Sequence, residues 1–215
     1  MLQVAESGHG KSTRAASATR FGPVQFIDAD NKLSALRTRL TAEQQELINL
    51  EVPTSYDEIL KIVQGTDPKK YATIVIDTWS RVHDMTIEKH KGLNPRTTQL
   101  QLQDWGAIKA LNKQLLNAIL AFKGNVIINS HVGRDRNAAD QVILTVGTIG
   151  SFGGEIPQYM SETHYLYFEN GFKVRATRTN QIVANTSLPE KFIKPDGCFI
   201  ANDLSIFDET AYRLT

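Results

Sequence analysis

Apolar positions along the chain follow two rhythms. Short, mostly apolar runs at residues 24–27, 71–76 and 125–128 read as buried strands, and each runs straight into polar residues: Asp28-Ala29-Asp30, Asp77-Thr78 and Asn129-Ser130-His131. Between them the apolar residues recur every three or four positions. Ile59, Leu60, Ile62 and Val63 mark a helix that opens at a Ser55-Tyr56-Asp57-Glu58 capping box and stops at Gly65. Trp105, Ile108, Leu111, Leu115, Ile119 and Phe122 mark a longer one ending at Gly124. Residues 11–19, alanine-rich and halted by Gly22-Pro23, predict a helix that can sit close to a sheet, and residues 31–40 and 79–89 also read as helical. Residues 41–52 fit either period. Two alternating runs, 163–168 and 172–179, flank Glu169-Asn170-Gly171, a strong hairpin signal. After Pro189 the chain is irregular, with a turn at Asp196-Gly197 and a short last strand at 198–200. Strands alternating with helices predict an α/β fold with a mostly parallel central sheet, flanking helices and a C-terminal antiparallel hairpin.

Two stretches resist both rhythms. Residues 84–104, centred on a basic segment broken by Gly92 and Pro95, and residues 133–155 read as flexible loops, and loops this long in a compact domain usually have a function. Lys89, Lys91 and Arg96 fall in the first, Arg134 and Arg136 in the second. They read equally well as solvated surface charge and as contacts to a phosphate backbone.

The candidate chemistry begins at Ala5-Glu6-Ser7-Gly8-His9-Gly10-Lys11-Ser12-Thr13, which has the spacing of a Walker A phosphate loop, with Ala5 in the place of the first glycine. Gly8 and Gly10 let backbone N–H groups approach phosphate oxygens, and the N-terminus of the following helix adds positive potential there. Lys11 would reach the outer phosphates and Ser12 would ligate magnesium, so Gly8, His9, Gly10, Lys11, Ser12 and Thr13 form the expected cradle for ATP and Mg2+. The strand ending in Asp77 reads as the matching Walker B element, with Asp77 the second magnesium ligand. His131 is either a group that senses the terminal phosphate or a histidine closing a strand end.

Composition narrows the picture little. A chain of 215 residues with 41% hydrophobic and 22% charged residues suits one domain spanning residues 1–215. The net charge of +1 excludes a globally basic nucleic-acid binder but not a local basic patch. One cysteine, Cys198, can form no intrachain disulfide, which fits a cytoplasmic location, and no apolar run approaches the ~20 residues of a membrane span.

Together, Ala5-x-x-Gly8-x-Gly10-Lys11-Ser12, Phe26-Ile27-Asp28-Ala29-Asp30, Ile74-Val75-Ile76-Asp77 and Ile128-Asn129-Ser130-His131 resemble the RecA-like P-loop ATPase core, and within it the short phage proteins of the Sak type that anneal single strands during recombination. The resemblance covers residues 5 to about 192. It implies that Asp30 orients the attacking water in place of the family's longer glutamate, so that hydrolysis is slow, and that His131 stands where the family has a sensing glutamine. It implies that Lys89, Lys91, Arg96, Arg134 and Arg136 hold single-stranded DNA. Arg175 and Arg178 would reach a neighbouring subunit's nucleotide in a ring or filament, and a single-strand DNA-binding protein would be a further partner. The alternative is a motor or loader ATPase of a phage replication or packaging complex that does not itself bind single strands.

Overall fold

The computed structural model describes residues 1–94, 99–136, 140–149 and 152–209. An eight-stranded sheet runs through it, built from β1 (Leu2–Ala5), β2 (Val24–Asp28), β3 (Ile48–Glu51), β4 (Thr73–Asp77), β5 (Asn125–Arg136), β6 (Val142–Val146), β7 (Thr163–Phe168) and β8 (Phe172–Arg175). The order is β3-β2-β4-β5-β1-β7-β8, parallel from β3 to β7, with β8 antiparallel to β7 and β6 antiparallel to β5. Eight short or long α-helices are present among the described residues: α1 (Lys11–Ala16), α2 (Ser34–Arg37), α3 (Ala42–Leu47), α4 (Tyr56–Gly65), α5 (Trp79–Leu93), α6 (Leu102–Leu120), α7 (Phe152–Glu155) and α8 (Ile206–Glu209). The fold is the α/β P-loop architecture expected from the sequence.

The central strands are apolar on both faces because both faces are covered. Side chains alternate across the sheet: Ile74, Ile76 and Ile128 join Ile59, Val63, Trp79, Val82, Leu115 and Leu116 of α4, α5 and α6 in one core. Val75 and Ile127 point the other way, into a second core with Ala15 and Ala16 of α1, Leu33, Leu36 and the aromatic residues Phe199 and Phe207. Arg14, buried, ties α1 down by donating to the Gln3 side chain and to the Asn202 carbonyl, both at 2.9 Å. No helix among the described residues is long and apolar enough to cross a membrane.

Register sets up the site. Ala5 lies opposite His131, Asp77 opposite Asn129, and Asp28 opposite Asp77, so the ends of β1, β5, β4 and β2 meet at one edge of the sheet. Ligands bind at the carboxyl ends of strands in open α/β sheets.

Several expectations change. Of the expected loop 84–104, residues 84–93 continue α5 and residues 102–104 begin α6, while residues 95–98 lie outside the described part. The last turn of α5 holds despite Gly92 because His90 is buried and its Nε2 lies 3.0 Å from Asp104 Oδ1 on α6, a tertiary contact that no local signal encodes. The described residues of 133–155 likewise include strand and helix. The strand that was expected to stop at His131 runs on to Arg136 and folds back as β6, and α7 follows; charged residues at 134–136 mask the alternation. Residues 41–52 divide into α3, closed by a Thr41–Gln44 capping box, and edge strand β3. The helix expected at 31–40 shrinks to α2, since Asn31 adopts φ 53° and the chain turns first. The second hairpin strand ends at Arg175, and Cys198 and Phe199 make isolated bridges to Arg175 and Ile193 rather than a strand.

Beside β1, Glu162 and His164 are fully buried. His164 Nε2 lies 3.0 Å from Glu162 Oε2, while Glu162 Oε1 accepts from the Ser187 N–H at 2.8 Å and its hydroxyl at 2.5 Å. Burial pushes the His164 imidazole down to about 4 against the opposing pull of Glu162. Burial alone would raise Glu162, but the bonds from His164 and Ser187 bring it down to about 2. A histidine in the unfolded chain titrates near ~6.5, so between there and the folded value the unfolded state binds a proton that the folded state refuses. Stability should therefore fall by roughly 3 kcal/mol as pH drops through that window. Urea midpoints measured across the window should decline in the wild type and flatten in His164→Gln, which keeps a donor toward Glu162; an equal decline in both would contradict the assignment.

Candidate nucleotide site

The turn from β1 to α1 places two glycines at φ 79° (Gly8) and 78° (Gly10), a backbone region that L side chains rarely adopt. Ala5 needs no such freedom, because it is still an extended strand residue, and this is why alanine serves in the first position of the motif. A side chain at Gly10 would also meet the Phe172 ring at 3.5 Å. The hairpin of β7 and β8 backs the loop from outside: His9 packs edge-on to Phe168, centroids 5.3 Å apart, and Phe168 packs on Phe172.

Within the loop Lys11 is only 6% exposed, and its Nζ donates to the Ala5 and Glu6 carbonyls, each at 2.9 Å. Burial lowers its pKa, while Asp77 and Asp30 oppose the shift. Ser12 Oγ donates to Asp77 Oδ2 at 2.5 Å. Asp77 is buried, its carboxyl pushed up by desolvation, with the Ser12 bond acting the other way. Among the described residues its second oxygen, Oδ1, makes no hydrogen bond of full geometry, although the neighbouring Asn129 side chain also acts to hold the carboxyl down.

The two aspartates after β2 have separate tasks. Asp28 Oδ2 accepts the Leu33 N–H at 2.8 Å and shapes the turn; burial raises its pKa against that bond. Asp30 faces the phosphate loop. Its Oδ2 gathers Thr78 Oγ1 at 3.3 Å, Lys32 Nζ at 3.4 Å and His131 Nε2 at 3.6 Å. The His131 ring first, and Lys32 after the opposing effect of burial, hold the Asp30 carboxyl below its ordinary range. His131 is fixed from behind, its N–H donating to Ser80 Oγ at 3.1 Å and its carbonyl accepting from Gly147 at 2.7 Å.

One pocket gathers His9, Lys11, Ser12, Asp30, Asp77 and His131, so the expected phosphate, metal, base and sensor residues converge. Lys32 and Thr78, which the sequence reading left aside, line it too. Thr78 directly follows the Walker B aspartate and Lys32 follows Asp30 by two positions, a signal visible only once Asp30 is singled out. A magnesium ion suits this donor set. Ser12 and Asp77 offer hard oxygens side by side, and the buried Asp77 Oδ1 makes no hydrogen bond of full geometry among the described residues. Among the described residues no group of three or more His, Cys, Asp or Glu forms a metal cluster.

The other candidates are scattered. Lys89 and Lys91 lie on α5, not in a loop, and Lys89 Nζ is 2.5 Å from Asp57 Oδ2. Arg134 and Arg136 lie on β5, exposed, with Arg136 Nη1 2.9 Å from Asp140 Oδ2. Arg96 lies outside the described residues. Arg175 sits over the Tyr167 ring of its own hairpin at 6.0 Å, and Arg178 is exposed beyond β8.

A family model for an AAA domain matches residues 1–193. The chain belongs to this AAA domain family. Among curated proteins none matches it in sequence. Among solved structures, this AAA domain is similar in fold to the KaiC-like protein PH0186 from the hyperthermophilic archaeon Pyrococcus horikoshii OT3, with a TM-score of 0.51, 16% identity, and coverage of 93% of this chain and 88% of that one. The chain is thus a P-loop ATPase domain with a RecA-like core. Replacing Lys11 with Ala should abolish binding of a fluorescent ATP analogue, at least about a hundredfold, without altering the circular dichroism spectrum. Unchanged affinity would contradict the placement of the phosphates.

Proposed function

We propose that this domain binds and slowly hydrolyses MgATP, and that its nucleotide state governs binding of single-stranded DNA in strand annealing or exchange, in a setting such as phage recombination. Residues 8–13 cradle the phosphates, Lys11 neutralises the outer ones, and Ser12 and Asp77 hold the magnesium, which when bound draws charge from the phosphate oxygens. Asp30 orients a water whose oxygen bonds to the terminal phosphorus as the bond to the bridging oxygen breaks. The electron pair leaves with ADP and the water proton passes to the departing phosphate. A carboxylate whose pKa is held down is a weak proton acceptor. Asp30 therefore acts by positioning, which fits slow turnover.

The observation that carries the DNA reading is the continuity of β5. His131 at the pocket and Arg134 and Arg136 beyond it belong to one strand, three to five residues apart, or ~10–17 Å at about 3.3 Å per residue. A shift of His131 on phosphate binding would reach the arginines through hydrogen-bonded backbone. Lys91 on α5 would add a further positive charge for the phosphate backbone, and Arg175 and Arg178 would complete the site of a second copy in a homo-oligomer. The reading as a motor or loader ATPase without direct single-strand binding draws its support from Lys89 and Arg136, each already paired with an acid of its own chain.

Fluorescence anisotropy with a labelled oligonucleotide separates the two. The proposal expects binding that weakens steeply with salt, and a loss of about tenfold or more with a shallower salt slope in Arg134→Glu/Arg136→Glu. Absence of binding at low salt, or a double variant indistinguishable from wild type, would favour the motor or loader.

A further inference from the structure

Lys32 stands out among the groups lining the pocket because neither the phosphate loop nor the Walker B strand explains it. We propose that Lys32 is a phosphate-reading switch that leaves Asp30 for the terminal phosphate of ATP and, in leaving, releases Asp30 to orient water. This inference rests on the ATP-hydrolysing reading above.

The backbone of the turn carrying both residues is held by hydrogen bonds of its own. Asp28 Oδ2 accepts the Leu33 N–H at 2.8 Å, the Asp28 carbonyl accepts the Asn31 N–H at 3.3 Å, and Asn31 holds φ 53°. The two side chains differ sharply in freedom: that of Asp30 is 14% exposed and that of Lys32 72%. An exposed ammonium on a four-carbon stem held by a single contact of 3.4 Å is weakly bound and moves readily. Asp30 is not stranded when the lysine departs, because the same oxygen keeps Thr78 and His131.

Charge decides where the lysine goes. Lys32 and Lys11 line the same pocket, and the field of Lys32 is among the influences that lower the Lys11 pKa. Two ammonium groups facing a common space repel unless an anion lies between them, and a terminal phosphate carries more charge than one carboxylate. Lys11 approaches the phosphates from the loop side of the pocket, where its ammonium rests on the Ala5 and Glu6 carbonyls, and Lys32 approaches from the turn after β2. ADP lacks the terminal phosphate, so Lys32 would stay on Asp30 and the water-orienting carboxylate would remain engaged.

Equilibrium titrations with fluorescent ATP and ADP analogues, together with single-turnover hydrolysis, test this on the full chain in the wild type, Lys32→Met and Lys32→Arg. The methionine keeps the stem and removes the charge, and at so exposed a position it leaves the fold intact. In Lys32→Met the preference for ATP over ADP should fall about tenfold with ADP affinity unchanged, and single-turnover hydrolysis should slow by about tenfold or more; Lys32→Arg should restore much of the preference. A Lys32→Met protein that keeps the wild-type preference overturns the switch, whether it hydrolyses as fast as wild type or faster, since Lys32 is then surface charge or a mere restraint on Asp30. A wild type whose nucleotide binding is absent or indifferent to Lys11→Ala overturns the ATP reading itself and the switch with it.

Discussion

Burying an ammonium group is unfavourable unless groups of opposite character surround it, and Lys11 is nearly sealed from water at the mouth of the sheet. The backbone answers first: the tight path through Gly8 and Gly10 turns the Ala5 and Glu6 carbonyls onto the ammonium. Carboxylates answer second. Asp77 and Asp30 arrive from β4 and from the turn after β2, and their fields partly offset the desolvation of Lys11. Parallel strands of matched register are what bring three distant parts of the chain to within reach of one charge, with β5 set between β1 and β4 and leaving room between the lysine and Asp77.

The same charge balance gives the site its chemistry. Asp77 and Ser12 share a short hydrogen bond, which a metal ion taking both oxygens would replace. Asp30 is a junction rather than a free base. It is bound on one oxygen by groups from β5, from the residue after β4 and from its own turn. A ligand that changes any one of these contacts changes the charge felt by the others, and His131 belongs to the longest strand of the sheet.

Much of this was legible in the sequence where local chemistry speaks for itself. The glycine spacing, the apolar strands ending in acids and the helix periods of α4 and α6 fix the phosphate loop, Asp77 and the sheet edge, because each is set by backbone sterics or by burial. What escaped depends on contacts between distant residues. The end of α5 rests on His90 meeting Asp104, and the extension of β5 rests on pairing with β6 across charged positions. The resemblance picks Asp30 over Asp28, but the physical ground for that choice appears only where the Leu33 N–H claims Asp28. Lys32 carries no motif; its relevance comes from the oxygen it touches.

If the nucleotide and DNA sites are coupled through β5, linkage requires that each ligand alter the affinity for the other. The most direct measurement is the affinity of the full chain for a labelled single-stranded oligonucleotide in the presence of MgATP, of MgADP and of no nucleotide. The account predicts binding at least about fivefold tighter with MgATP than with MgADP. The same affinity in all three conditions, or no binding in any, would contradict it.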